Sequence, residues 1–238
     1  MKTVIKSIFI LALIMFAAQT SQAGPQMKIE PPTFDFGYVP QQAKVTHQFW
    51  LKSVGDDMLK IISVKPGCGC TKAPLDKKEI VVGDSARLEI IFDTKKYKGK
   101  MMKSTRIQTN AEEKPVMLRF SARGITDENR ATLPIMIDPP VLRFDPGDTD
   151  NGGQLQFKIT NKSDQDIEFK IIDSPERWCK VQLPPTISPG QTASGRVTLR
   201  NTETVKKFAK SFTIELNDKR KTRFTMPLVG NSGEVGGK

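Results

Sequence analysis

The chain repeats itself. Residues 29–36 (IEPPTFDF) align with residues 137–144 (IDPPVLRF), and Asn110 aligns with Asn217 at nearly the same offset. Matches between the two segments continue across most of the sequence, including the apolar positions of several short runs. This pattern indicates two copies of one unit of roughly 100 residues, a period too long for a solenoid repeat. A fold for this chain must therefore be one that each half can form by itself.

Composition sets the limits of the two copies. Residues 126–134 (TDENRATLP) are polar and end in proline, which is typical of a linker. We therefore assign residues 28–125 to a first copy and residues 135–230 to a second copy. Residues 231–238 (NSGEVGGK) are predicted to be a flexible tail.

Within each copy, apolar and polar residues alternate. Leu88, Ile90 and Phe92 would share one face of an extended strand in the first copy, as would Phe212 and Ile214 in the second. Turn-forming residues separate such runs at short intervals, and no window of helical length has a period of 3.6 residues. We predict an all-β fold made of two tandem immunoglobulin-like antiparallel β-sandwich domains.

Residues 1–23 have the organisation of a signal peptide. Lys2 and Lys6 provide a positive start, an apolar run follows, and the segment ends in Ser21-Gln22-Ala23. Small residues at the last and third-last positions suit signal peptidase. The apolar run is too short for a permanent anchor, so we expect cleavage after Ala23 and no transmembrane anchor in the mature chain. The predicted location is periplasmic or secreted.

Four motifs in the first copy are shared with a known family: Phe34-Asp35-Phe36-Gly37, Thr46-His47-Gln48-Phe49, Cys68-Gly69-Cys70-Thr71 and Phe92-Asp93-Thr94. With these motifs the first copy resembles domain of unknown function family 1573, a secreted bacterial family. That family is similar in turn to the immunoglobulin-like modules of the ASH, SPD-2 and hydin group. The resemblance implies the fold and export, and it implies no established activity.

The first copy departs from the family pattern at two turns. Ser53-Val54-Gly55 stands where the pattern has turn residues of the Asn-x-x-Gly type, and Val82-Gly83 stands where it has Pro-Gly. The second copy restores both features, with Asn161 and Pro189-Gly190, but it lacks the Cys-Gly-Cys run. The second copy is therefore a diverged module without the chemical signature of the first.

Cys68 and Cys70 are the chemically distinctive pair, and three interpretations of them remain open. They could form a strained and easily reduced disulfide, whose closure Gly69 would assist. They could bind a soft metal, Cu(I) or Zn, as two thiolates, although a zinc site normally needs four ligands. They could also be packed or bridged for purely structural reasons. Cys179, in the corresponding loop of the second copy, is expected to be a small buried hydrophobe.

The formal net charge is +11, and part of the excess is concentrated in one short segment. Lys95, Lys96, Lys98, Lys100 and Lys103 are predicted to lie in a loop or hairpin tip. Such a cluster favours an anionic partner, such as lipid headgroups, lipopolysaccharide, an acidic glycan or an acidic protein. The alternative is a solvated loop without a partner. No aromatic-lined basic stripe is present, so no nucleic-acid partner is expected.

Enzyme motifs are missing from the sequence. It contains neither a phosphate-binding glycine loop nor a Gly-x-Ser-x-Gly elbow, and His47, its one histidine, belongs to an apolar strand face where a core or edge role is expected. We predict an exported, non-catalytic binding or scaffold protein of the cell envelope, with no cofactor, whose partner is an envelope protein or an anionic surface component. The alternative is a periplasmic copper-handling or thiol-redox protein that uses Cys68 and Cys70.

Overall fold

A computed structural model describes residues 24–144, 153–200 and 208–230. The predicted signal peptide and the predicted C-terminal tail lie outside these ranges. The described residues form eighteen β-strands and one helix of a single turn, α1 (Asp127–Arg130), so the all-β prediction is confirmed. Among these residues, no helix is long and apolar enough to cross a membrane.

Nine strands belong to the first copy. They are β1 (Met27–Glu30), β2 (Thr33–Val39), β3 (Lys44–Ser53), β4 (Leu59–Pro66), β5 (Thr71–Lys72), β6 (Glu79–Ile80), β7 (Ser85–Asp93), β8 (Gly99–Thr109) and β9 (Val116–Gly124). The alternation seen in the sequence is visible in β7, where Ala86, Leu88, Ile90 and Phe92 are fully buried and their neighbours are not.

Nine further strands follow in the second copy, in the same order. They are β10 (Ile135–Asp138), β11 (Leu142–Phe144), β12 (Gln154–Asn161), β13 (Ile167–Asp173), β14 (Cys179–Gln182), β15 (Thr186–Ile187), β16 (Thr192–Leu199), β17 (Ala209–Leu216) and β18 (Arg223–Gly230). Each strand of the first copy has a counterpart here, so the repeat in the sequence and the order of the strands coincide. Helix α1 lies in the segment predicted to be the linker, where Thr126 and Asn129 cap its first turn reciprocally.

Two hydrophobic cores are present, one in each copy. The first lies between a four-stranded sheet of order β1-β3-β7-β5 and the strands β2, β9, β8 and β4. The second lies between a sheet of order β10-β12-β16-β14 and the strands β13, β17 and β18. Each core is thus closed by two packed sheets, which is the arrangement of a β-sandwich.

A third sheet continues through both copies in the order β15-β13-β17-β18-β2-β9-β8-β4-β6, with β11 also paired to β18. The two halves meet where β18 pairs with β2, at Phe224 and Tyr38, whose ring centroids are 5.3 Å apart. The pairs β2–β9, β11–β18 and β18–β2 are parallel, whereas the prediction was antiparallel throughout. Within each copy, the parallel pair arises because the chain crosses to the opposite sheet after its first strand, which brings β2 beside β9 and β11 beside β18. The β18–β2 pair joins the two copies.

The two halves of this shared sheet differ in what covers their outer faces. In the second copy, nearly every side chain of β17 and β18 is buried, on both faces. One face packs into the second core, and the other lies against β2 and β3 of the first copy, where Thr225 Oγ1 donates to the Phe36 carbonyl at 2.6 Å. In the first copy, the outer faces of β8 and β9 remain exposed.

Candidate functional site

The hairpin turn between β7 and β8 carries most of the predicted lysine cluster. Lys95, Lys96 and Lys98 lie in this turn, and their side chains are exposed. Lys100 and Lys103 lie instead on β8, because its pairing with β9 begins at the first residue of the strand. The expectation that all five lysines form a loop is therefore wrong for these two.

Buried hydrogen bonds hold this turn in place. Thr94 Oγ1 accepts from the Ala43 amide at 3.0 Å and donates to the Pro40 carbonyl at 2.8 Å. On the other side of the turn, Gln41 Nε2 donates to the Tyr97 carbonyl at 2.9 Å. The exposed lysines therefore extend from a backbone whose position is set by the segment between β2 and β3. A preorganised backbone lowers the entropic cost of binding a partner.

The aromatic ring of Tyr97 separates the cluster from the core. It stacks on Phe92 with centroids 6.2 Å apart, and Lys103 Nζ lies 4.7 Å from the centroid of the Tyr97 ring. Lys103 is accordingly half-buried, in contrast to the three turn lysines. None of the five lysines forms an ion pair with an acidic side chain in the described parts of the chain.

The Cys-Gly-Cys run forms a turn between β4 and β5, and Cys68 is joined to Cys70 by a disulfide. Cys70 is buried and Cys68 is half-buried, while Gly69 at the tip is exposed. The Thr71 hydroxyl oxygen lies 3.5 Å from Cys68 Sγ. The structure therefore contains a disulfide at an accessible corner. Two of the three interpretations that the sequence left open include such a bridge, namely the easily reduced disulfide and the structural one.

A metal site at this corner would require the reduced protein. A thiolate is the form of cysteine that binds metal, and neither sulfur is a thiolate in the disulfide. Within the described ranges, no group of three or more His, Cys, Asp or Glu side chains is placed to hold a metal ion. Binding of Cu(I) or Zn by Cys68 and Cys70 therefore stays a prediction.

Cys179 lies on a strand and not in a loop as expected. It is the first residue of β14 and pairs with Leu199, where the first copy pairs Thr71 with Phe92. Burial raises the pKa of its thiol to about 12, although the Arg200 charge acts in the opposite direction. The thiol is therefore protonated at neutral pH, and a protonated thiol is a poor nucleophile.

His47 lies at a contact between the two copies. Its ring stacks on Phe34 with centroids 3.5 Å apart, and its Nδ1 donates to Oδ2 of Asp173 at 2.7 Å. A second contact joins Lys210 Nζ to Glu89 Oε1 at 2.5 Å. Sequence reasoning expected a core or edge histidine but missed its partner, because the aspartate lies in the other copy, far along the chain.

A small groove lies beside the linker, where the two copies meet. Its volume is about 210 Å³, and its lining is mainly apolar and includes the side chains of Tyr38, Ile125, Leu133, Met136, Val141 and Phe224. The residues come from the first copy, the linker and the second copy. No sequence signal could have identified the groove, because only the packing of the copies brings these segments together.

Comparison with known families concerns the first copy. Residues 27–123 match the family model described as "Protein of unknown function (DUF1573)". These residues form a DUF1573 domain. The predicted resemblance is thereby confirmed, and the DUF1573 domain is the half of the chain that carries both the Cys68–Cys70 disulfide and the lysine turn. No similar protein was found among curated proteins.

Several solved structures are similar to the chain at low identity. A protein of unknown function from Porphyromonas gingivalis W83 is 11% identical, with 87% of this chain and 100% of that chain covered and a TM-score of 0.34. The ASH/PapD-like domain 7 of human CEP192 is 12% identical, with 42% and 84% covered and a TM-score of 0.31. The Vibrio cholerae VesB protease is 11% identical, with 41% of this chain and only 32% of the protease covered and a TM-score of 0.36.

Proposed function

We propose that this protein is an exported, non-catalytic binding module of the cell envelope, built from two tandem immunoglobulin-like β-sandwich domains. Its partner is an anionic surface component, bound first of all by the lysine turn of the DUF1573 domain. The observation that carries the proposal is the combination of charge and rigidity at this turn. Three exposed lysines without acidic partners in the described ranges extend from a backbone held by buried hydrogen bonds.

Charge density supports an anionic partner. Lysine ammonium groups on one short turn raise the local concentration of anions and accelerate their association, and this effect weakens as salt is added. Lys100 extends the positive charge from the turn onto β8, and Lys103 adds a cation beside Tyr97. An envelope protein with an acidic surface is the alternative occupant that the same charges would attract.

Retention on a heparin column tests this proposal. A variant with Lys95, Lys96, Lys98, Lys100 and Lys103 changed to Ser is compared with the wild type in a salt gradient. A matched control changes five exposed lysines elsewhere to Ser: Lys114, Lys158, Lys170, Lys180 and Lys219. We expect the cluster variant to elute at a clearly lower salt concentration than the control, although both lose the same charge. Equal elution of the two variants would reject a role for the turn.

Thiol–disulfide exchange is a second candidate, favoured by the accessibility of the Cys68–Cys70 corner. The thiolate of an external dithiol would attack Cys68 Sγ, breaking the Cys68–Cys70 bond, forming a mixed disulfide and releasing the Cys70 thiolate. The second thiol of the partner would then displace Cys68, leaving the partner oxidised and the pair reduced. The adjacent Lys65 and Lys72 are exposed cations that favour thiolates.

The cysteine variants separate the two candidates. Cys68→Ser with Cys70→Ser is expected to abolish any dithiol exchange and any Cu(I) uptake by the reduced protein, while heparin retention stays at the wild-type level. Cys179→Ser is the control, since its thiol is buried and protonated. Exchange by the wild type that disappears in the double variant would rank redox chemistry above binding, and so would stoichiometric Cu(I) uptake with the same dependence.

A further inference from the structure

The outer face of the shared sheet carries basic side chains in the first copy. Lys65 on β4 lies directly opposite Arg106 on β8. Arg119 and Arg123 are four residues apart on β9, so they point to the same side of the sheet. All four side chains are exposed, on the face opposite the core. Sequence reasoning missed this set because its members are far apart along the chain.

These charges are not compensated within the fold. Lys65 faces Arg106, and Lys100 faces Arg123, so two like-charged pairs stand directly opposite each other across strands. Such pairs destabilise a sheet. Across the described ranges, none of these four side chains forms an ion pair. An anionic partner would remove the repulsion on binding.

One acidic side chain at the border of this face already has hydrogen-bond partners. Asp35 on β2 accepts a hydrogen bond from the Ser121 hydroxyl at 2.7 Å and another from the Gly37 amide at 3.1 Å. Arg123 is held from the same edge, because its guanidinium donates to the Tyr38 hydroxyl at 3.0 Å. Asp35 therefore lies at the border of the face and, among the described residues, forms no ion pair with its basic side chains.

Apolar side chains lie between the charges. Met102 is 68% exposed, and Met117, directly opposite Arg106, is 37% exposed. Ile62, beside the irregularity in β4, is 60% exposed. Cations and apolar side chains thus lie side by side on this sheet face, and methionine adapts readily to an irregular apolar environment.

We propose that this face binds the surface of a lipid bilayer that carries anionic phospholipid headgroups. The basic face is defined as Lys65, Arg106, Arg119 and Arg123 with Met102 and Met117. Basic residues close to an anionic bilayer each add to the attraction, and apolar side chains can enter the headgroup region. A soluble polyanion would use the charges but not the methionines. The inference rests on the proposed function, since it names the surface and the chemistry of that binding module.

Co-sedimentation with vesicles tests the proposal on the mature chain. The vesicles contain phosphatidylglycerol and phosphatidylethanolamine, and phosphatidylcholine vesicles serve as the neutral reference. We expect binding to the anionic vesicles only. Changing Lys65, Arg106 and Arg119 to Gln should weaken it by at least about tenfold. The charge-matched control changes Lys158, Lys180 and Arg196, exposed on the second copy, to Gln and should weaken binding by no more than about twofold.

A methionine variant distinguishes lipid from a soluble anion. Met102→Ser with Met117→Ser should weaken vesicle binding while heparin retention stays unchanged. Equal binding by the two charge variants, or unchanged vesicle binding by the methionine variant, would overturn the proposal.

Heparin retention and vesicle binding together separate the lipid proposal from the proposed binding function. If heparin retention depends on the lysine turn but the wild type does not bind anionic vesicles, the lipid proposal is rejected and the proposed binding function is retained. If neither heparin nor anionic vesicles retain the wild type, both fall.

Discussion

The strand pairs β8–β9 and β17–β18 occupy equivalent places in the two copies, yet the outer face of the first pair is exposed and that of the second pair is buried. In the first copy, Arg106 and Met117 face each other on an exposed surface. In the second, Thr213 and Thr225 take the corresponding positions and are buried beneath the first copy. One β-sandwich scaffold thus supplies a solvent-exposed face and an internal joint.

Hydroxyl groups make the buried face possible. Ser211 Oγ accepts from the Thr46 amide at 2.8 Å and donates to its carbonyl at 3.0 Å, so one side chain satisfies two backbone groups of the other copy. The hydroxyl oxygens of Thr213 and Thr225 lie 2.8 Å apart. Buried polar groups are tolerated when they are hydrogen-bonded, and an unpaired charge in this position would not be.

The largest effect on stability should come from placing a charged side chain of the exposed face of β8–β9 on the buried outer face of β17–β18. Thr213→Arg would force a large charged side chain into the fully buried contact between the copies, where there is neither water nor space for it. We expect a loss of about 3–5 kcal/mol of unfolding free energy. Arg106→Thr, the reverse change at the equivalent position, should alter stability by less than about 0.5 kcal/mol. Urea unfolding followed by circular dichroism measures both. Similar losses for the two variants would contradict the assignment of one face as buried and the other as open.

The next effect concerns the buried hydroxyl that joins the copies. Ser211→Ala leaves the Thr46 amide and carbonyl without this partner, so we expect a loss of about 1–3 kcal/mol. Ser104→Ala at the equivalent position of the first copy is the control, because Ser104 is only half-buried and lies on the open face. Its loss should stay below about 0.5 kcal/mol. If Ser104→Ala lowers the unfolding free energy as much as Ser211→Ala, the two positions do not differ in the way that the structure indicates.

A third difference between the copies lies at the end of β3 and β12. Asn161 Nδ2 donates to the carbonyls of Gln165 and Ile187, at 2.7 and 2.8 Å. The first copy has Ser53 here, and its buried hydroxyl has no hydrogen-bond partner among the described residues. We expect Ser53→Asn to stabilise the protein by about 1 kcal/mol and Asn161→Ser to destabilise it by a similar or larger amount. Thermal unfolding measures whether each variant is more or less stable than the wild type. A destabilising Ser53→Asn would refute the prediction that positions 53 and 161 are structurally equivalent.

The smallest effect is electrostatic, at the ends of β1 and β10. Glu30 contacts Lys28 and Lys52, and these hydrogen bonds lower the pKa of its carboxyl from 4.5 to about 2. A lowered pKa in the folded state adds stability above pH 4.5 that disappears as the pH falls towards 2. Glu30→Gln should therefore be slightly less stable than the wild type at neutral pH and equal to it near pH 2. The control Asp138→Asn removes the equivalent carboxylate, which forms no ion pair among the described residues, and it should cost less stability at neutral pH than Glu30→Gln.

Much of the fold could be predicted from local patterns. Alternating apolar residues predicted strands such as β7, and the internal repeat predicted that the strands of one half would recur in the other. The motif around Cys68 and Cys70 led to the correct family for the first half. These features depend on residues close together in the sequence, whose spacing reflects the period of a strand.

Contacts between distant segments could not be predicted in this way. The alternation in β17 identifies one buried face, and nothing local indicates that the other face is buried too. The hydrogen bond of His47 to Asp173 and the pairing of β2 with β18 could not be predicted for the same reason: each joins residues of different copies. Likewise, Lys100 and Lys103 belong to a strand because β9 pairs with them, which the charge pattern alone did not reveal.

The amino-acid sequence by itself determined that this protein is all-β, that it is duplicated, and that its first half is a DUF1573 domain with a Cys-Gly-Cys run. Only the tertiary structure decided which faces of the duplicated strands are covered and which remain open to a partner. The reason is that strand periodicity states how many faces are apolar, whereas the coverage of a polar face depends on hydrogen bonds and charges supplied by residues far away in the chain.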